Sequence, residues 1–92
     1  MFKVETTPRF DKEIKKLDPY IRKMIMSWIQ KNLVGSDDPR SKGKALKGNY
    51  AGQWRYRIGD YRIICKIEDD KMIIIALTVG HRNSVYLSDN VI

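Results

Sequence analysis

The sequence predicts an α+β fold: a helix hairpin packed on a mainly antiparallel four-stranded sheet, in the order β-α-α-β-β-β. Three observations carry this expectation. Two apolar stripes at helical spacing follow one another near the N-terminus, the pattern switches to period two from residue 53, and a Gly-Asp pair separates two of the alternating runs. Helices and the later strands thus come in separate blocks, the arrangement of an α+β domain.

Each element has its own justification. Phe2-Lys3-Val4-Glu5-Thr6 alternates as a strand does. Thr7-Pro8 then reads as an N-cap followed by Pro at the first helical position, and Phe10, Ile14 and Leu17 form one apolar stripe behind it. Asp18-Pro19 repeats the start signal. Ile21, Met24, Ile25, Trp28 and Ile29 make the second stripe, and Gly35 supplies the stop. Residues 35–49, rich in Gly, Ser, Asp and Lys, read as a long mobile loop. Loops of that length inside a compact domain are uncommon and often functional. Gln53–Ile58 and Tyr61–Ile67 are strands joined by the two-residue turn Gly59-Asp60. Met72–Val79 is a continuous apolar run that fits a strand covered on both faces, with Gly80 as its end.

At 92 residues the chain has room for a single domain, residues 1–92, and it shows no repeat. One Cys excludes a disulfide scaffold and a cysteine zinc site, and no metal or cofactor motif appears. No apolar run is long enough to span a bilayer, and the N-terminus lacks a signal-peptide pattern, so the expected compartment is the cytoplasm, with no membrane partner.

The net charge of +7 has an address. Eight basic residues and one acid fall between Arg40 and Lys66, while the rest of the chain balances to zero. Such asymmetry points to a polyanionic partner, with a solvated basic face as the plainer alternative. If Gly59-Asp60 is the turn, Arg57 lies opposite Arg62, and Arg55 shares their face two residues along. Like charges directly opposite destabilise a hairpin by ~0.2–1 kcal/mol, a penalty that a bound phosphate removes. Trp54, Tyr56, Ile58, Tyr61, Ile63 and Cys65 go to the other face, where the helices should sit, and Ile64 stays with the arginines.

A second constellation follows the last strand: Gly80-His81-Arg82-Asn83-Ser84-Val85-Tyr86. It offers an imidazole, a guanidinium and a phenol, with no carboxylate among them. Without a carboxylate pair, metal-ligand spacing or P-loop, metal-free phosphoryl transfer is the plausible enzymatic class. Cleaving RNA that way requires activation of a 2′-OH, stabilisation of a charged phosphorane and protonation of the leaving oxygen. Arginines suit the second need; Tyr86 or His81 suits the first or third.

These residues resemble the RelE/ParE superfamily of toxins from type II toxin–antitoxin modules, and its RelE branch most. The resemblance covers nearly the whole chain. It runs through Lys44-Ala45-Leu46-Lys47-Gly48, Trp54-Arg55-Tyr56-Arg57-Ile58, Gly59-Asp60-Tyr61-Arg62-Ile63-Ile64 and Val79-Gly80-His81-Arg82 with Val85-Tyr86. It implies a ribosome-dependent endoribonuclease that enters the A site, contacts rRNA and cuts mRNA, and that a cognate antitoxin neutralises. Arg55 and Arg57 then match two basic residues, usually Lys, and join Lys44 and Lys47 as the expected phosphate-binding set. Arg62 matches the arginine that stabilises the transition state, Arg82 the leaving-group stabiliser or acid, and Tyr86 the base or stacking group. His81 stands where some members have Lys and others His. Arginine at both strand positions makes proton abstraction there less favourable, which shifts the base role toward Tyr86 or His81. The Arg82–Tyr86 spacing is shorter than in some relatives, and little chain remains after it for a C-terminal helix. The alternatives are a ParE-like toxin that inhibits DNA gyrase without nuclease activity, and a plain RNA-binding module.

Overall fold

A computed structural model describes residues 1–81 of the chain. They form β1 (Lys3–Thr6), α1 (Pro8–Lys15), α2 (Pro19–Asn32), β2 (Lys44–Ala45), β3 (Gln53–Ile58), β4 (Tyr61–Glu68) and β5 (Ile73–His81). The strands make one sheet in the order β1-β5-β4-β3-β2, parallel at β1–β5 and antiparallel elsewhere. The α+β architecture is the expected one. No helix among the described residues is long and apolar enough to cross a membrane.

The helix starts follow the capping rules. The Phe10 amide donates to Thr7 Oγ1 at 3.1 Å, and the Tyr20 amide donates to Asp18 Oδ1 at 2.9 Å. Gly35 stands past α2 with a φ of 77°, and its amide donates to the Phe2 carbonyl, tying the helix exit to the N-terminal strand. Phe10, Ile14, Ile25, Ile29 and Leu33 bury their side chains against Tyr56, Ile58, Ile63, Cys65, Ile74 and Ala76. One face of the sheet therefore carries both helices and the core.

The sheet has five strands rather than four. The additional one, β2, comes from the segment that composition marks as a loop, which also contains 3-10 turns at Pro39–Lys42 and Gly48–Tyr50. Two residues are too few to show a period, so only their pairing with Trp54 and Arg55 defines them as a strand. Nor does Gly80 end the last strand. It pairs with Arg62, and His81 pairs with Tyr61, because β4 still offers ladder partners there.

An irregularity in β5 decides which residues face where. Ile64 pairs with Thr78 but Cys65 pairs with Ala76, which leaves Leu77 as an extra residue. The bulge brings Val79 into the core and turns Thr78 to the opposite face. Beyond the end of β1, side chains of α1 and its cap satisfy the edge of β5. Thr7 Oγ1 donates to the Leu77 carbonyl at 2.8 Å, and the Val79 amide donates to Glu13 Oε1 at 3.0 Å.

Candidate functional site

The open face of the sheet is built by the β3–β4 hairpin. Of the two turn residues only Gly59 has positive φ, 60°, the pattern of a type II′ turn. That turn sets the register Ile58↔Tyr61 and Arg57↔Arg62, and Arg55 pairs with Ile64. Arg62 faces Gly80 on its other side, and Lys44 of β2 pairs with Arg55. Because paired residues share a face, Lys44, Arg55, Arg57 and Arg62 stand together, with Lys66 and Gln53 one pair further along.

The 3-10 turn at Pro39–Lys42 forms a wall beside this row. Ser41, Lys42, Gly43, Lys44, Arg55 and Arg57 line a cleft of about 320 Å³, with four cations and no acid in its lining. Gly43 makes the close approach possible. A Cβ there would sit 2.4 Å from the Arg55 carbonyl oxygen and 2.8 Å from ring carbons of Trp54 and Tyr56. The wall is clamped from behind. The buried Tyr56 hydroxyl donates to the Pro39 carbonyl, and Arg40 makes two hydrogen bonds of 2.8 Å to the Asp69 carboxylate while its guanidinium lies 5.6 Å from the Trp54 ring centroid. Arg40 therefore belongs to the scaffold and not to the cationic cleft. Its guanidinium holds the Asp69 carboxyl below the usual carboxylate range. Burial pushes the Tyr56 phenol well above its ordinary value and the Cys65 thiol up to about 12, so neither ionises near neutrality.

The expected site residues divide accordingly. Arg55, Arg57, Arg62 and Lys44 come together as anticipated, while Lys47 lies beyond β2 and outside the cleft lining. His81 stands opposite Tyr61, their rings edge-on with centroids 5.6 Å apart, on the side of the sheet away from the arginines. Arg82 and Tyr86 lie outside the described residues. Ser41, Lys42 and Gly43 belong to the cleft although sequence reasoning did not select them. The alternation Lys42-Gly43-Lys44, a small residue between two cations, was the available signal. A carboxylate also reaches the open face: Glu13 Oε1 accepts from the Thr78 hydroxyl, and Glu13 Oε2 accepts from Arg9 Nε at 3.3 Å. That contact joins positions 65 residues apart and has no sequence signature.

A basic sheet face of this topology has counterparts. Residues 4–86 match the model of a family described as the ParE toxin of the type II toxin–antitoxin system parDE. The chain belongs to the RelE/ParE family of type II toxins. The toxin is 29% identical over 85 residues to Toxin RelG of Mycobacterium tuberculosis, covering 92% of this chain and 95% of that one. Its fold is similar to a chain of the toxin–antitoxin complex RelBE2 from Mycobacterium tuberculosis, with a TM-score of 0.81 at 30% identity over 88% of this chain and 98% of the other. It is also similar to a chain of the RelB–RelE antitoxin–toxin complex of Methanococcus jannaschii, with a TM-score of 0.65 at 30% identity over 89% and 94% of the two chains. The isolated E. coli RelE toxin shares the fold at 16% identity, with a TM-score of 0.69 and full coverage of both chains.

Proposed function

We propose that this toxin is a metal-independent endoribonuclease that inhibits translation by cutting mRNA in the ribosomal A site. The observation that carries the proposal is Arg57, which pairs across the hairpin with Arg62 and lines, with Arg55, Lys42 and Lys44, a cleft that has no acid in its lining. Opposed guanidiniums cost folding energy unless an anion lies between them, and a phosphorane carries more negative charge than the phosphodiester it comes from. The cluster therefore favours the transition state over the ground state, which is the requirement for accelerating the step. In this reading the 2′-oxygen attacks the adjacent phosphorus, the P–O5′ bond breaks, and a 2′,3′-cyclic phosphate and a 5′-OH result. Arg62 and Arg57 neutralise the phosphorane, and Arg55, Lys44 and Lys47 hold flanking phosphates. Tyr86 takes the 2′ proton or stacks on a base, and Arg82 stabilises the leaving oxygen. His81, packed edge-on to Tyr61, is the least favoured of the catalytic candidates.

The partners follow from the same charge. Ribosomal and messenger RNA supply the polyanion, and an antitoxin is proposed as the neutralising partner, as in the toxin–antitoxin complexes that share this fold. A second reading, inhibition of DNA gyrase without RNA cleavage, draws on the ParE description of the matching family. Primer extension on a defined message in purified translation reactions separates the two. Wild type is expected to cut within codons, while Arg62→Ala, Arg82→Ala and Tyr86→Ala each lower the cut by about 10²-fold or more. Absence of cleavage with ribosomes present overturns the nuclease reading. Cleavage unchanged in all three variants overturns the residue assignment.

A further inference from the structure

The open face carries a second cleft, across the sheet from the lysine-lined wall, and its chemistry differs. It measures about 260 Å³. The 3-10 turn Gly48–Tyr50 brings Asn49 and Tyr50 to its rim, Gln53 and Thr78 contribute polar groups, and Ile64 and Leu77 make an apolar floor. Arg9 of α1 closes one end.

The ladder register fixes how this cleft sits relative to the arginines. Ile64 is the cross-strand neighbour of Arg55, Thr78 is the neighbour of Ile64 on the next strand, and Gln53 is two residues before Arg55 on the same strand. Ile64 in turn is two residues from Arg62. The two sites therefore share one face and lie one strand step apart, about 7 Å. A single nucleotide spans that separation from its phosphate to its base.

We infer that this second cleft is a nucleobase pocket, which holds one unpaired base of the RNA whose adjoining phosphate lies on Arg55, Arg57 and Arg62. The inference rests on the RNA reading above and adds to it where base discrimination resides. The residue types match the task. An aromatic wall over an aliphatic floor accepts the flat faces of a base, and carboxamides carry a donor and an acceptor side by side, as a base edge requires. At about 260 Å³ the cleft has room for a nucleobase and lies just below the roughly 300–1,000 Å³ of pockets for drug-sized ligands. The floor is held in place by the Leu77 bulge and by Glu13, which accepts from both the Thr78 hydroxyl and the Val79 amide. Asn49, Tyr50 and Gln53 are positioning and recognition groups here, and none of them is asked to move a proton.

Calorimetric titration of the full chain with AMP, GMP, CMP and UMP, each against ribose 5-phosphate, tests the pocket. At least one nucleotide is expected to bind about tenfold tighter than ribose 5-phosphate, the scale of one stacked base. Tyr50→Ala and, independently, Gln53→Ala reduce that nucleotide to the ribose 5-phosphate value and leave ribose 5-phosphate unchanged. Arg57→Ala weakens both ligands alike. Equal binding of nucleotide and ribose 5-phosphate, with both weakened by Arg57→Ala, overturns the pocket and leaves the RNA reading standing. A nucleotide preference that neither pocket variant alters places the base elsewhere and also overturns it. If Arg57→Ala changes nothing for either ligand, the phosphate site fails and the pocket with it.

Discussion

The two faces of the sheet are made from the same strands, yet they are organised by opposite rules. On the helix side, Tyr56, Ile58, Ile63 and Cys65 are buried against Phe10, Ile14, Ile25 and Ile29, and burial of apolar area holds that layer together. On the open side, Arg55, Arg57 and Arg62 sit where a stability-driven sequence would place Thr or a mixed-charge pair. One face supplies the folding energy that lets the other keep a repulsive arrangement. The contrast separates residues that keep the toxin folded from residues proposed to bind RNA, and substitutions on each face should therefore fail in different ways.

The largest expected effect lies on the helix side. Phe10 is fully buried, and Phe10→Ala should lower unfolding stability by about 3–5 kcal/mol, read as a shift in the urea midpoint. For a domain of this size that is a large share of the total. On the open side, Arg57→Ala should leave the urea midpoint unchanged or raised, since it removes a like-charge pair. RNA binding should weaken by about tenfold or more, and the slope of log affinity against log salt should fall by about one. A variant that unfolds, or one that binds RNA with an unaltered salt slope, would break the division between the faces.

The remaining two effects concern the wall that joins the faces. Tyr56 presents its ring to the core and its hydroxyl to the Pro39 carbonyl. Tyr56→Phe should cost about 1 kcal/mol and also speed proteolytic cutting at residues 38–43, because the wall loses a tie while the ring stays packed. An altered midpoint without faster cutting would show that the bond serves only the core. The smallest effect belongs to Arg40–Asp69, an exposed pair. Its carboxyl is held below the ordinary range when folded, so the clamp contributes above the unfolded carboxylate value and is lost as pH falls through the folded one. Protection from hydrogen exchange at residues 40–43, referred to the intrinsic rate at each pH, should take an extra step down as pH drops below about 4. In Asp69→Asn that extra step should vanish, with exchange already fast at neutral pH.

Much of the fold was legible because its signals are local. Thr7-Pro8 and Asp18-Pro19 mark helix starts that capping bonds then confirm, and Gly59-Asp60 sets a register in which Arg57 meets Arg62. The division of the hairpin into a helix face and an arginine face follows from period two alone. What escaped was structure with no period. The strand Lys44–Ala45 exists only through its partners on β3, and the bulge at Leu77 is hidden in an uninterrupted apolar run. His81 was expected to follow the last strand with Arg82 and Tyr86, yet β5 continues through Gly80 and sets it opposite Tyr61. Glu13 was invisible as a member of the open face because its partners, Thr78 and Val79, lie at the far end of the chain.

The sequence by itself determined the two helices and the longer strands, which face of the hairpin is apolar, and that three arginines share the other. Those properties depend on neighbours within a few positions, where backbone geometry dictates who stands beside whom. Only the tertiary structure decided that residues 39–45 fold back as a wall, that Lys42 joins the arginines, and that Tyr50 and Asn49 frame a second cleft. Those outcomes rest on a glycine with no room for a Cβ, an ion pair across 29 residues and a carboxylate across 65. Such contacts are selected by shape and charge at a distance, and no spacing along the chain encodes them.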